Sequence, residues 1–257
     1  MPRLLKQILY GIFFLLFLFG AVRVIYISAL QSAPSCFDNR KNGTETGVDC
    51  GGACIPCEEK NLQPIAIGAT TLFSQDRVFS VAAELINPNS AFAASAFDYQ
   101  IILKDASGSV LRAITNSSFL YAGERKKIVE AGVRITQGIP VEVSVIINPE
   151  SIIRKPAQAF IRTEIEVRDV IAAIESGQVV ISGYVTNINN FVITKIIING
   201  SAINSAGAAV GVSKTEIRNV AAFGVENFKI FIPIGKSVLA DIDFSKTAEQ
   251  IGIEVLK

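Results

Sequence analysis

The chain has 257 residues with 24 Lys and Arg against 23 Asp and Glu, a net charge of +1, and that balance offers no electrostatic footing for a nucleic-acid partner. It contains no His, which excludes Ser-His-Asp and Cys-His catalysis and removes the commonest metal ligand. Half of it is apolar, only 18% is charged, and the mean hydropathy of +0.43 is high for a wholly soluble protein.

The first thirty residues account for part of that excess. Arg3 and Lys6 precede an apolar run from Ile8 to Val22 that includes Phe13, Phe14, Leu16 and Phe17; Arg23 follows, then Val24 to Ile27. At about 1.5 Å per residue, Ile8 to Ile27 spans roughly 30 Å, the thickness of a bilayer core. Arg23 lies where its stem can snorkel to the headgroups, and Tyr10 and Tyr26 sit near the two ends as interface aromatics do. Residues 1–30 therefore read as a transmembrane anchor or uncleaved signal in contact with the lipid bilayer. The basic residues ahead of the span place the N-terminus in the cytoplasm and the bulk of the chain outside. A cleaved signal peptide shares these features, with Ile27-Ser28-Ala29 as its cleavage site. A lipoprotein-type site at Ala33 to Cys36 is a third reading, weakened by Pro34.

Residues 31–60 hold all four cysteines, Cys36, Cys50, Cys54 and Cys57, in a Gly-rich polar segment with no apolar periodicity. Such a segment cannot build a core and needs cross-links. Disulfides fit best; four cysteines allow three pairings, which spacing does not decide. A four-thiolate zinc site would favour two C-x₂-C pairs, whereas here three cysteines crowd together and one stands alone. Asp38, Asn39, Asn42, Glu45 and Asp49 supply hard oxygen donors along the loop, so Asp38, Asn42, Glu45 and Asp49 form a candidate calcium set; otherwise they are turn residues that satisfy backbone donors.

With those residues in place, the segment resembles a small cysteine module of exported bacterial and archaeal proteins, C-x-D-G-x-x-N-G-x-E-T-D-x-D-C-G-G-x-C-x-x-C. Cys36, Asp38, Asn42, Gly43, Glu45, Thr46, Asp49, Cys50, Gly51, Gly52, Cys54 and Cys57 match; Asn39 and Gly47 depart from it. The resemblance implies an extracellular, disulfide-bonded spacer or cap and no chemistry.

Beyond Gln63 the pattern is strand after strand. Val78 to Ile86, Phe97 to Leu103 and Ile128 to Ile135 are rich in Val, Ile and Phe, and turns at Asn87–Ser90, Asp105–Gly108 and Tyr121–Glu124 bound them. The region also repeats at a period near 100 residues. Val81 to Asn89 aligns with Ile181 to Asn189, Asp105 to Gly108 with Asn204 to Gly207, and Gly123 to Ile128 with Gly224 to Ile230. The fold class expected is all-β: two tandem immunoglobulin-like β-sandwiches, 61–148 and 158–257, behind one N-terminal transmembrane helix and a small disulfide-bonded segment. Pro149 and Pro156 bracket a stiff linker.

Each copy resembles the FxLYD or water-stress (late-embryogenesis-abundant type) family of immunoglobulin-like sandwiches. Gly183-Tyr-Val185-Thr-Asn187 fits the Gly-x-Val-x-Asn strand end, and Ile101-Ile-Leu103-Lys-Asp105 stands where F-x-L-Y-D would be. The resemblance implies binding in a cell-envelope or stress context and brings no catalytic residues.

Paired carboxylates are the one catalytic route left, and Asp241 with Asp243 or Glu164 with Glu166 read more simply as one solvated strand face. Arg125 to Lys127 read as edge protection. Asn42, Asn116 and Asn199 match glycosylation acceptors. Phe73, Phe79, Phe97, Phe223, Phe228 and Phe231 read as core, and Phe92, in an Ala-rich loop, as the exposed contact. The expectation is a non-catalytic binding or scaffolding protein at the cell surface, its partner an unknown surface protein or polymer. An envelope spacer that self-associates through strand edges and a calcium-stabilised adhesin are the alternatives.

Overall fold

The computed structural model describes residues 2–26 and 35–256, so the cleavage site at Ile27–Ala29 and the first half of the lipoprotein-type site, Ala33 and Pro34, lie outside the described residues. Two compact units divide the chain, Met1–Leu62 and Gln63–Lys257.

In the first unit, α1 (Arg3–Ile25) is a 23-residue helix, long and apolar enough to cross a membrane. Its side chains, including Ile8, Phe13, Phe14, Leu16, Phe17 and Val22, are exposed all round. No protein core claims this helix, and its composition makes water a poor solvent for it. The cysteine segment follows, ending in the one-turn helix α2 (Cys57–Lys60).

The second unit is built from antiparallel strands. The first sandwich pairs β1 (Ala66–Gln75), β2 (Val78–Ile86) and β5 (Arg125–Arg134) in one sheet. Its other sheet holds β3 (Phe92–Lys104), β4 (Val110–Leu120) and β6 (Glu142–Ile147). Phe79, Val81, Leu85, Phe97, Ile101, Leu103 and Ile128 fill the space between them. β7 (Ile153–Pro156) pairs with Phe92–Ala96 of β3, so the segment expected as a linker is a 3-10 turn, Pro149–Ser151, followed by a strand of the first sandwich. Proline is tolerated here because it sits at the end of an edge strand.

The second sandwich repeats the plan. β8 (Ile165–Glu175), β9 (Gln178–Asn187) and β12 (Val225–Ile232) form one sheet. β10 (Ile193–Ile203), β11 (Ala209–Val220) and β13 (Ile251–Leu256) form the other. Val179, Ile181, Ile196, Ile198, Phe228 and Ile230 are its core. Two short helices, α3 (Lys236–Leu239) and α4 (Phe244–Glu249), precede β13. Asp243 caps α4, its carboxylate accepting from the Lys246 amide, and Asp241 accepts from Ser205. The Asp241/Asp243 pair is thus a turn and a helix cap, not a strand face.

The same buried asparagine closes both copies. The Asn87 carboxamide donates to the Phe92 and Tyr121 carbonyls and accepts from the Asn89 amide and side chain. Asn187 repeats this with Phe191, Ala221 and Asn189. In each, the second asparagine reaches the residue that leads into the first strand, Gln63 or Glu164. A short amide that mimics backbone is what such a corner needs, and every donor and acceptor it owns is used.

The two sandwiches pack side by side. β2 is buried at nearly every position from Phe79 to Leu85 instead of at alternate ones, because both faces of its sheet are covered. Phe79, Val81, Ala83 and Leu85 face the first core, while Ala82 with Val129 meets Val212 of β11, flanked by Phe73 and Ala131. Small side chains let the backbones approach, and the four sheets form a stack.

Candidate functional site

Four groups of side chains hold candidate chemistry: the cysteine segment, the polar rim between the sandwiches, the cleft at their junction, and the loop tip of the second copy.

In the cysteine segment Cys36 is bonded to Cys54 and Cys50 to Cys57, with no free thiol. A thiolate zinc site is therefore excluded in this state, and the cluster of Cys36, Glu45 and Cys54 has no thiolate to offer a metal. The calcium set is drawn together and its three carboxylates are already engaged, while the Asn42 Oδ1 is buried without a partner. Asp49, buried, accepts from the Asp38 and Asn39 amides and pairs with Lys60 at 3.3 Å. Glu45 accepts from the Asn42 and Asp49 amides. Asp38 accepts from the Arg40 amide and the Asn42 side chain, and the Asn42 bond holds its carboxyl below the usual range. These carboxylates serve as the core that the segment lacks, Asp49 and Glu45 each tying two backbone donors and Asp38 one.

Between the sandwiches, a polar rim flanks the apolar contact. Lys126 of β5 is 9% exposed and its ammonium lies 3.3 Å from Glu254 of β13, itself 13% exposed. Ser118 joins both, accepting from Lys126 at 2.8 Å and donating to Glu254 at 3.1 Å. Burial pushes the Lys126 ammonium below its ordinary value, with Glu254 opposing. Further along, Glu130 accepts from Tyr99 and Asn116 and pairs with Lys214 at 3.1 Å; burial and Glu130 together push the Tyr99 phenol up. Asn199 donates to the Lys127 carbonyl. Asn116 and Asn199 are thus committed to the fold, and neither is presented as a glycosylation acceptor. Lys126 and Lys127, read as edge protection, are half of this seam.

At one end of the seam opens a cleft of about 360 Å³. Phe119 and Tyr121 from the first copy line it beside Arg162, Thr163, Ile165, Ile188, Ile253 and Val255 from the second. Tyr121 stacks on Phe160 with ring centres 5.0 Å apart, and Phe119 meets both edge-on. Two cations hold these rings. Lys126 sits 3.9 Å from the Phe119 centroid, and Arg162 sits 4.5 Å from the Tyr121 centroid while pairing with Glu124 at 2.6 Å. Both positive charges are already neutralised, so the cleft is an apolar seat with a polar rim. Of its lining, the sequence marks Lys126 as edge protection, Glu164 as part of a solvated strand face, and Tyr121 and Glu124 as turn residues, and nothing in it joins them into a cleft. The one available signal was Tyr121, an aromatic in a turn otherwise made of Ala, Gly and Glu.

The exposed aromatics are not the one expected. Phe92 is buried, whereas Phe223 is 67% exposed and Phe231 lies half-exposed on the outer sheet face. Phe79, Phe97 and Phe228 are core, and Phe73 packs between the sandwiches.

No protein-family model and no curated protein matches the sequence. Among solved structures, red sea bream transglutaminase is similar over 76% of this chain at 16% identity, with a TM-score of 0.24; the chain spans 31% of that protein. A likeness at that score carries no argument about activity.

Proposed function

We propose that the protein is a membrane-anchored, extracytoplasmic, non-catalytic binding protein, with its N-terminus in the cytoplasm. On this reading the inter-sandwich cleft seats an apolar group of a surface protein or polymer. The observation that supports it is the cleft itself: an aromatic wall of Phe119 and Tyr121, braced by Phe160 and fixed by cations that are already paired. A seat whose charges are spent selects an uncharged group and orients it through the rim carboxylates and Thr163. Arg3 and Lys6, in the first turns of the helix and ahead of its apolar run, favour the proposed orientation, and the two disulfides fit an oxidising compartment.

Self-assembly through strand edges is less well supported. The edge strands β1 and β8 are each interrupted by a bulge, between Ile67 and Thr70 and between Arg168 and Ile171, which blunts them as templates. The calcium-stabilised adhesin is disfavoured because backbone amides and Lys60 already engage the acidic oxygens.

Proximity labelling from the intact chain on living cells tests the proposal. Extracytoplasmic neighbours are expected, with at least one lost in the Tyr121→Ala variant. Cytosolic neighbours would sink the topology, and an identical set from wild type and variant would sink the cleft.

A further inference from the structure

The turn between the fourth and fifth strands of each copy is the same turn with different residues. In the first, the Gly123 amide donates to the Asn89 carbonyl, Glu124 N–H to the Tyr121 carbonyl, and Asn87 N–H to the Glu124 carbonyl. In the second, Phe223 donates to Asn189, Gly224 to Ala221, and Asn187 to Gly224. Hydrogen bonding therefore equates Phe223 with Gly123, one residue off the alignment that matches glycine to glycine. Both residues are left-handed, with φ +67° at Gly123 and +58° at Phe223. Glycine takes that conformation freely; for a bulky residue it costs roughly 1–2 kcal/mol. Among the described residues, the other non-glycine positions with positive φ are Asn, Asp, Ser and one Arg, so Phe223 is the one apolar side chain held there. The strain holds a phenyl ring out in water.

The ring has company. Ile188, Val192 and Val225, from the same end of the sandwich, are 45%, 53% and 50% exposed. No charged residue occurs in 187–192 or in 219–225, whereas the corresponding first-copy turn carries Glu124 and Arg125. An exposed apolar tip that carries no charge to desolvate suits insertion into a lipid interface, where its amides can stay among the headgroups.

The position of the tip in the fold names its occupant. The polypeptide from α1 enters this unit at Gln63, which is bonded through both its backbone groups to Asn89. Asn89 holds the Gly123 turn, whose Glu124 pairs with Arg162; two residues on, the Glu164 carbonyl accepts from Asn189, which in turn holds Phe223. The tether and the apolar tip thus emerge at one end of the unit. A bilayer is the surface the tether keeps within reach at high effective concentration.

We propose that the second sandwich docks on the bilayer that carries its own anchor, inserting Phe223, Val192 and Val225 into the interfacial layer. This inference rests on the anchor reading. The chain has no Trp, so Phe223→Trp in the full-length protein is a single reporter. Reconstituted in phosphatidylcholine/phosphatidylglycerol nanodiscs, its emission is expected to shift to the blue and to fall about twofold when the acyl chains are brominated. Val192→Trp should behave alike and serves if the first variant folds poorly. Val110→Trp, beyond the hairpin at the opposite end, should stay open to iodide. Solvent-like emission from the tip, indifferent to bromine, overturns the proposal. So does a blue-shifted tip that bromine does not quench, which would mean that protein covers it. A chain that elutes free of lipid fails at the anchor instead, and the proposal falls with it.

Discussion

The two sandwiches share strand order, hairpin and asparagine corner, yet they treat their outer surfaces differently. The first spends its β1-β2-β5 face on its neighbour through Ala82 and Val129, and Glu124 of its β4–β5 turn and Lys126 at the start of β5 pair across the seam. The second gives up the opposite sheet, through Val212, Lys214 and Glu254, and leaves an uncharged tip exposed. Duplicated cores with diverged surfaces teach that the repeat is preserved by what closes each copy, while what joins the copies and faces outward is free to specialise.

That contrast can be broken most forcefully at the seam. Glu254→Ala leaves Lys126 buried with its charge unpaired, and a loss of about 3–5 kcal/mol is expected in urea unfolding of the full chain. If the seam joins the copies, the loss should uncouple their transitions; a single unshifted transition would mean that it contributes nothing. Next come the corners. Asn87→Ala and Asn187→Ala each strand several buried backbone groups and should cost about 3 kcal/mol, in equal measure if the copies are equivalent.

The tip gives a smaller effect of the opposite sign. Phe223→Gly removes left-handed strain while losing little burial, so thermal unfolding should show a gain of about 1 kcal/mol; Gly123→Phe should lose at least as much. The smallest effect concerns acid. Asp243 is held down to about 2 by its bonds to Ser245 and Lys246, against an ordinary 3.8. Because the folded value is the lower one, the cap stabilises fully above about pH 4, and that contribution fades as the pH falls through 3.8 towards 2. Asp243→Asn should flatten that limb of a pH–stability curve, for the second copy alone.

What was legible in the sequence was local. The Asn87 and Asn187 corners, the Asp105 and Asn204 hairpins and the strands between them follow from turn chemistry and apolar spacing, which act over a few residues. The stacking of the copies was hidden because Ala82 and Val212 belong to apolar runs that a single covered face explains equally well. The cleft was hidden because its walls come from residues up to 136 positions apart, and the disulfide pairing because spacing alone permits three answers. Phe223 was mistaken for core because a strand-rich chain gives no local sign of which phenylalanine faces water. The sign was in the hydrogen bonds that set it opposite Gly123.

The ion pair across the seam joins partners 128 residues apart, Lys126 and Glu254. A ribosome working from the amino terminus makes the whole first copy long before the strand that supplies Glu254. During that interval the lysine and the patch around Ala82 and Val129 stand open, and the early copy must persist on its asparagine corner and inner packing alone. Closure belongs to the last stage of maturation, which makes the newborn half the target on which a chaperone or a protease would act.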